Sequence, residues 1–458
     1  MMKMNQRNNS IAIVGMGKTG ISVASFYKEY GLRCEAFDER QATLPEGMDI
    51  PLHIGPLNAD ELAQFKRIVV SPGVPWQHPE LLALRQRGAD VIGDLDVFVE
   101  HSQASLIAVT GTNGKTTTTE MIGLLLETLP GGCLTGGNIG RPMLDLLNEK
   151  TPPQRMALEL SSFQLERSHG LRAATSIFLN IQADHVDAHL SDEEYLNAKL
   201  KLFEHQQAGS TAYLPAESRW DNLAEKLLSR DIRVHRFGFV KQGSVEEESV
   251  SAGVYRGPDG CGLFWHHEGH RVDISCSNIP ARGSHQHLNV AIAAQVASDE
   301  GVHLDVICEA ITSFRGLPHR LRNLGKVRGY EWFDDSKATN PAAAIAALDS
   351  FDRVLWICGG LRKGIDLAVL KHAVSQHVEK AFVIGSDPQS FAALLESANV
   401  PYEVVGTMQA AVTAASKHGS KIPVLLSPAA ASMDQFENYA HRGRVFLQSI
   451  QALKGASA

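Results

Sequence analysis

The sequence predicts an α/β protein of three domains, and three observations predict it. Apolar strands run into glycine-rich loops at Gly15–Gly20 and at Gly111–Gly114, and each loop opens a helical run. Beyond residue 317, strands and alanine-rich helical runs alternate again, the order of a doubly wound sheet. At 458 residues the chain is too long for one core. The expected domains are a Rossmann-like one over 1–94, a central P-loop ATPase-type one with a mostly parallel sheet over 95–316, and a C-terminal Rossmann-like α/β one over 317–458.

In the first segment, strand Ile11–Val14 leads into Gly15-Met16-Gly17-Lys18-Thr19-Gly20 and a helix, and strand Arg33–Phe37 ends at Asp38. That is a dinucleotide fingerprint with its acid at the expected remove. Taken alone it points to NAD or FAD. The residues require less: a diphosphate near the helix and a hydroxyl- or imide-bearing group near Asp38, which a UDP group also satisfies. A further strand, Ile68–Val70, runs into Ser71-Pro72-Gly73.

The middle segment carries the most specific motif. Strand Leu106–Val109 runs into Thr110-Gly111-Thr112-Asn113-Gly114-Lys115-Thr116, with Thr117 next and a helical run from Thr116 to Leu129. Strand, glycine turn, lysine, hydroxyl and helix make a phosphate cradle: backbone N–H groups face the phosphates, Lys115 brings a charge, and the Thr116 hydroxyl can hold Mg2+. The general pattern has a Gly where this chain has Val109, so the loop is a variant. Strands at Met156–Leu160 and Ser176–Ile181 deliver Glu159 with Ser161-Ser162, and Asp184-His185, at the ends where open sheets place ligands. The stretch from Thr211 to Ile279 reads as less regular, and its Trp265–His270 run, WHHEGH, fits a hairpin end better than a zinc motif.

A helix is expected over Asp192–Glu204. Its apolar stripe is Tyr195, Leu196, Leu200, Leu202 and Phe203, with Lys199 inside the stripe and Lys201 on the opposite, wet face. Lys199 has two readings. Its stem can pack while the ammonium snorkels to water. Alternatively it stays inside, where desolvation favours a neutral amine that captures carbon dioxide as a carbamate, an oxygen ligand suited to Mg2+.

The third segment reads Phe333-Asp334-Asp335-Ser336-Lys337-Ala338-Thr339-Asn340-Pro341 before a helix. Strands follow at Val354–Ile357, Ala381–Ile384 and Val424–Leu426, the last leading into Ser427-Pro428-Ala429-Ala430-Ala431-Ser432. The net charge of −8 argues against a nucleic-acid scaffold. Six scattered cysteines, with no signal peptide and no apolar run long enough to span a bilayer, suggest a cytoplasmic protein with reduced thiols.

The chain resembles the Mur ligases, the ATP-dependent amide-bond formers of peptidoglycan precursor synthesis. The resemblance rests on GTNGKTT at Gly111, GGNIG at Gly136, ELSSFQLE at Glu159, ADH at Ala183, AKL at Ala198, GLPHR at Gly316, DDSKATN at Asp334 and SPAAASMDQF at Ser427. It covers essentially the whole chain. It implies the branch that adds D-glutamate to UDP-N-acetylmuramoyl-L-alanine, since the DNPR-type motif of the diamino-acid-adding branch is absent and Asn113 stands where the L-alanine-adding branch usually has His.

The resemblance also implies roles. Lys18, Thr19, Asp38, Arg40 and Gly73 would hold the UDP part, and Asn138 and His185 the muramoyl part. Gly111 to Thr117 would hold ATP, with Asn289, Arg320 and Asp335 as further nucleotide contacts. Two Mg2+ sites would draw on Thr116, Glu159, His185 and a carbamylated Lys199, and Lys115, Glu159, His185 and Lys199 make the catalytic set. Lys337, Thr339, Lys363, Ser432 and Tyr439 would line the glutamate side. Departures from the family pattern are Glu39, Gln286, Arg322, Met433 and Tyr439.

The implied mechanism converts a carboxylate to an acyl phosphate, which the glutamate amine attacks. Excluding water from that intermediate would call for closure of the third domain over the second. The implied enzyme is a monomer with no nucleic-acid partner and no membrane insertion. A folylpolyglutamate-synthase-like ligase shares the loop but lacks a leading UDP-binding domain. An NAD-binding oxidoreductase leaves Lys115, Lys199 and the third segment unexplained.

Overall fold

The computed structural model describes residues 10–149, 151–181, 191–257, 260–362, 364 and 366–455. They form two compact units, one of residues up to 253 with 266–270 and 292–303, the other of 254–265, 271–291 and 304 onward.

In the first unit, β1 (Ile11–Val14), β2 (Cys34–Asp38), β3 (Leu52–Ile54), β4 (Arg67–Val70) and β5 (Val91–Gly93) make a sheet of order β3-β2-β1-β4-β5, parallel throughout. The order reverses between β1 and β4, so the crevice beyond their C-terminal ends is the natural ligand position. Gly15 ends one strand and Ser71-Pro72-Gly73 the other. A second sheet carries β6 (Ser105–Thr110), β7 (Cys133–Gly137), β8 (Arg155–Glu159), β9 (Thr175–Phe178), β10 (Thr211–Pro215) and β11 (Arg233–Lys241). Their order is β11-β10-β9-β6-β8-β7, again parallel. β6 lies centrally and reads as a continuous apolar run because both of its faces are covered.

The first and middle segments share one core. Ile13 and Phe26, Phe98 in the connecting helix Asp94–His101, and Leu158 and Phe178 from the second sheet belong to a single buried cluster. That sharing puts the first segment and most of the middle one in the same unit, while 254–265, 271–291 and 304–316 of the middle segment fall in the other.

The stretch from Thr211 is more regular than expected. It holds β10 and β11, then β12 (Ala252–Gly257), β13 (Gly260–His267) and β14 (His270–Ser275). Trp265, His266 and His267 end β13, and Glu268 and Gly269 turn with φ of +49° and +78° into His270, as a two-residue hairpin requires. The WHHEGH run is therefore a hairpin tip.

In the second unit, β15 (Arg322–Val327), β16 (Tyr330–Asp334), β17 (Val354–Gly359), β18 (Val378–Ile384), β19 (Tyr402–Gly406) and β20 (Val424–Leu426) have the order β15-β16-β20-β17-β18-β19. Only the β15–β16 pair is antiparallel. Among the described residues no helix is long and apolar enough to cross a membrane.

Candidate active site

The C-terminal ends of β6, β7, β8 and β9 gather the lysine loop, Asn138, Glu159 and Asn180. The helix after the loop is Lys115–Leu126, and its N-cap is Gly114 in the left-handed region, φ +87°, which has no side chain to cap it. A helix start capped by glycine suits an anion, because backbone N–H groups and the helix dipole point the same way there. Gly111 (φ +153°) is also constrained by space: a Cβ there would lie 3.0 Å from Leu179 Cβ and 3.2 Å from Asn180 N.

Asn180 fastens the loop. The Asn113 N–H donates to Asn180 Oδ1 (2.9 Å), Asn180 Nδ2 donates to Asn113 O (3.0 Å), and the Thr112 N–H donates to Asn180 O (3.0 Å). Sequence reading missed Asn180, although its place at a strand's C-terminal end was the available signal. Lys115 Nζ donates to Gly111 O and Thr112 O, both at 2.9 Å, and Thr117 is buried behind the loop.

Glu159 is 2 % exposed at the end of β8. Its carboxylate accepts from Thr116 Oγ1 at 2.7 Å and Asn138 Nδ2 at 3.1 Å, so three expected residues meet on one group. Glu159 also bears on Glu120, whose carboxyl is raised above its ordinary range by burial and then by the Glu159 charge, against a hydrogen bond from Thr135. The serines after Glu159 have a local role. Ser161 and Gln164 form a capping box that starts helix Ser162–Arg167.

Lys199 is 1 % exposed and does not snorkel. Its Nζ donates to Gly111 O at 3.0 Å and lies 4.4 Å from the centre of the Tyr195 ring, while the Tyr195 hydroxyl is 3.3 Å from Thr112 Oγ1. The α-helix runs Asp192–Leu200 and tightens into a 3-10 turn over Lys201–Phe203. Lys201 is not on a wet face: it is half-buried and donates to Glu166 O at 2.6 Å. His185 and Asp184 lie outside the described residues.

At the first sheet, Asp38 braces its own loop, accepting from the Met16 N–H (2.7 Å) and the Arg40 N–H (2.9 Å). Gly20 must be glycine, because a Cβ would fall 2.0 Å from Gly15 O. Lys18 is exposed and donates to Gly140 O at 2.5 Å; Thr19 is half-buried, and Arg40 and Gly73 are exposed.

Arg167, unnoticed in the sequence, is buried under the Gly73 turn. Its guanidinium donates to the carbonyls of Val70, Ser71, Pro72 and Val74. Burial pulls its pKa down to about 10, against the pull of Asp94 and Glu166. Asp94 accepts from Gln164 Nε2 at 3.1 Å and is shifted up by burial, so one short helix ties both sheets' loops together.

In the second unit, the expected residues collect at the ends of β16 and β20. Asp335 accepts from the Leu321 N–H (3.1 Å) and from Ser427 Oγ (2.8 Å). Burial pushes its carboxyl up to about 7, the Asp334 charge adding to the rise and the hydrogen bonds and Arg320 opposing it. Arg320 and Asn289 are half-buried, and Gln286 donates through Nε2 to Arg320 O at 2.9 Å.

Lys337 Nζ is 4.9 Å from the centre of the Tyr439 ring and 3.5 Å from its hydroxyl. Thr339 is half-buried in the same turn, its N–H on Lys337 O at 2.8 Å. Ser432 is buried, and its carbonyl closes a turn with the Gln435 and Phe436 N–H groups. It does not cap the final helix, which Asn438 caps by accepting from the His441 N–H at 2.9 Å. Lys363 lies outside the described residues.

Of the departures, Met433 is exposed and Arg322 begins β15 opposite Asp334. The Leu57 N–H reaches Glu39 Oε1 at 3.5 Å. Sequence reading missed Arg442 altogether: buried, it donates to Ser336 Oγ (3.0 Å), Ser336 O (2.7 Å) and Ala430 O (3.0 Å), holding the two strand-end loops side by side.

Three family models match the chain: "Mur ligase MurD-like, N-terminal domain" over residues 9–93, "Mur ligase middle domain" over 109–297, and "Mur ligase, glutamate ligase domain" over 319–430. The chain is 34% identical over 469 residues to a UDP-N-acetylmuramoylalanine–D-glutamate ligase of Acidobacterium capsulatum, with 99% of each chain covered. It is 32% identical over 460 residues to a protein of the same name from Methylobacillus flagellatus, with 98% of each covered. Among solved structures, the MurF ligase of Thermotoga maritima in complex with ADP has a TM-score of 0.61 at 16% identity, covering 100% of this chain and 98% of that one. The UDP-N-acetylmuramate-alanine ligase MurC of the same organism has a TM-score of 0.58 at 18% identity, covering 97% and 99%. These two likenesses speak to the fold alone.

Proposed function

Because this chain belongs to the Mur ligase family, we propose that it joins D-glutamate to UDP-N-acetylmuramoyl-L-alanine, consuming ATP and releasing ADP and phosphate. As a family member it is a ligase. The observation that carries the reading is the junction of Thr116, Glu159 and Asn138 beside a glycine-capped, lysine-bearing helix start. Boundaries at 1–94, 95–316 and 317–458 assign the UDP part, ATP and the acceptor to successive domains of a cytoplasmic, monomeric enzyme.

The chemistry follows from these groups. A carboxylate has no good leaving group, so its oxygen must first take the γ-phosphoryl of ATP. Lys115 is well placed for this: its ammonium exchanges the Gly111 and Thr112 carbonyls for phosphate oxygens. A buried carboxylate held by a hydroxyl and an amide presents oxygen donors of the kind Mg2+ takes. Thr116, Glu159, His185 and Lys199 are the residues that would hold it, and the ion's contribution when bound is to offset charge on the transferring phosphoryl group. Lys199 contributes as a carbamate: its neutral amine bonds the carbon of carbon dioxide and releases one proton, becoming an anionic oxygen donor. Its burial supports this.

Gly111 to Thr117 hold the ATP phosphates, and Asn289, Arg320 and Asp335 hold the rest of the nucleotide. Lys18, Thr19, Asp38, Arg40 and Gly73 hold the UDP part, with Asn138 and His185 toward the muramoyl carboxylate. Lys337, Thr339, Lys363, Ser432 and Tyr439 match the two carboxylates of glutamate with cations and hydroxyls. The test is phosphate release from ATP with the UDP donor and each glutamate enantiomer supplied separately. Release is expected with D-glutamate and not with L-glutamate. Release with no UDP donor present, or NAD binding that competes with the donor, would overturn the reading.

A further inference from the structure

In the second unit, three soft or nitrogen ligands meet where sequence spacing shows no motif. Cys261 lies in β13, Cys276 opens the turn Cys276–Asn278 after β14, and His287 is in the first turns of helix Ser284–Asp299. The two sulfurs are 2.6 Å apart, and both lie with a ring nitrogen of His287 inside a 4.8 Å span. His287 is 7 % exposed. Its Nε2 is on Ala281 O at 2.8 Å, which makes Nε2 the protonated nitrogen and leaves Nδ1 with its lone pair. Nδ1 is buried and has no hydrogen-bond partner among the described residues.

A buried, unpartnered imidazole nitrogen is costly, and a metal removes the cost. A metal-binding histidine characteristically donates its other N–H to a carbonyl, which fixes the tautomer. Cys276 and His287 also line an open cavity of about 690 Å3, bordered by Ala281, Arg282 and Arg315, from which water can supply a fourth ligand.

We propose that Cys261, Cys276 and His287 form a Cys2His site for a thiophilic divalent ion of the zinc class, separate from the Mg2+ chemistry of ligation. Each thiol gives its proton to water as its sulfur bonds the ion, and His287 brings a lone pair, so no oxidant is needed. Two sulfurs each about 2.3 Å from a tetrahedral ion stand about 3.8 Å apart, so binding opens the pair by about 1 Å. The ion would clip the β13–β14 hairpin to the helix that carries Gln286 and Asn289. Thiolates, a neutral imidazole and a site of this size select against Mg2+.

The full-length protein, reduced and stripped with chelator, is titrated with Co2+ as a spectroscopic stand-in for zinc. One equivalent should produce a thiolate-to-cobalt charge-transfer band in the near ultraviolet, displaced by Zn2+. Cys261→Ser and Cys276→Ser should each abolish it, and His287→Gln should weaken binding by about tenfold or more. Zinc should also raise the thermal midpoint of the parent and not of the cysteine variants. No charge-transfer band in the reduced protein, or a band unchanged in Cys276→Ser, overturns the proposal. So does finding two fewer thiols than the six in the sequence after isolation without reductant, restored on reduction, because that assigns the pair to a disulfide.

Discussion

The single residue with the most consequence is Lys199, an amine held at 1 % exposure against the Gly111 carbonyl. Lys199→Ala should lower ligation by about 10²-fold or more, the scale of removing a charge-stabilising group. A small carboxylate such as formate should restore part of it by filling the oxygen position. No rescue, with equal loss in Lys201→Ala, would refute the carbamate; Lys201→Ala should instead cost stability, since it holds Glu166 O. Asp335 makes a different prediction. Its carboxyl is raised to about 7 by burial, so between its unfolded value near 4 and 7 the folded protein holds the extra proton. Stability from this group is full below the unfolded value and is lost as pH rises through 7. Asp335→Asn keeps an acceptor for the Leu321 N–H without the ionisation. Melting curves should therefore show the variant gaining on the parent between pH 5 and pH 8; a pH-independent difference would rule out the raised carboxyl.

At the scale of elements, the short helix Ser162–Arg167 does more than its length suggests. Its capping box follows directly from Glu159, and its last residue spans four carbonyls of the Gly73 turn. Arg167→Met should destabilise by about 3–5 kcal/mol, because the carbonyls of the Gly73 turn lose a charged donor in a buried place. It should also raise KM for the UDP donor well above any change for ATP, since the turn it braces is on the donor side. Equal effects on both constants would make Arg167 purely structural. The capping box and the lysine loop were legible because they are contiguous. Arg167 was not, because its partners lie about ninety-five residues earlier.

At the scale of the molecule, the shared core makes a claim about cooperativity. Phe98 is fully buried in the helix that connects the first two sheets, in one cluster with residues of both. Phe98→Ala should cost about 3–5 kcal/mol. Amide exchange should then quicken together in β1 and β6, because one core serves both. Faster exchange in only one of these strands would show that the two sheets unfold separately.

From the sequence alone came the features written in contiguous residues: two glycine loops with their strands and helices, the lysine and hydroxyl of the phosphate cradle, and the alternation that makes α/β sheets. β1 and β20 fell where periodicity put them, and β6 within a residue at each end. A loop's chemistry and a strand's apolar run are local, so nothing distant can disguise them. Tertiary structure alone decided which groups those loops meet. Asn180 fastens the lysine loop from another strand, Arg442 joins two loops more than ninety residues apart, and Lys201 found a carbonyl where helical periodicity left it in water. The merger of two segments into one core belongs to the same class. The physical reason is common to all: a buried polar or apolar group is satisfied by whatever the fold brings beside it, and the sequence records the need without recording the partner.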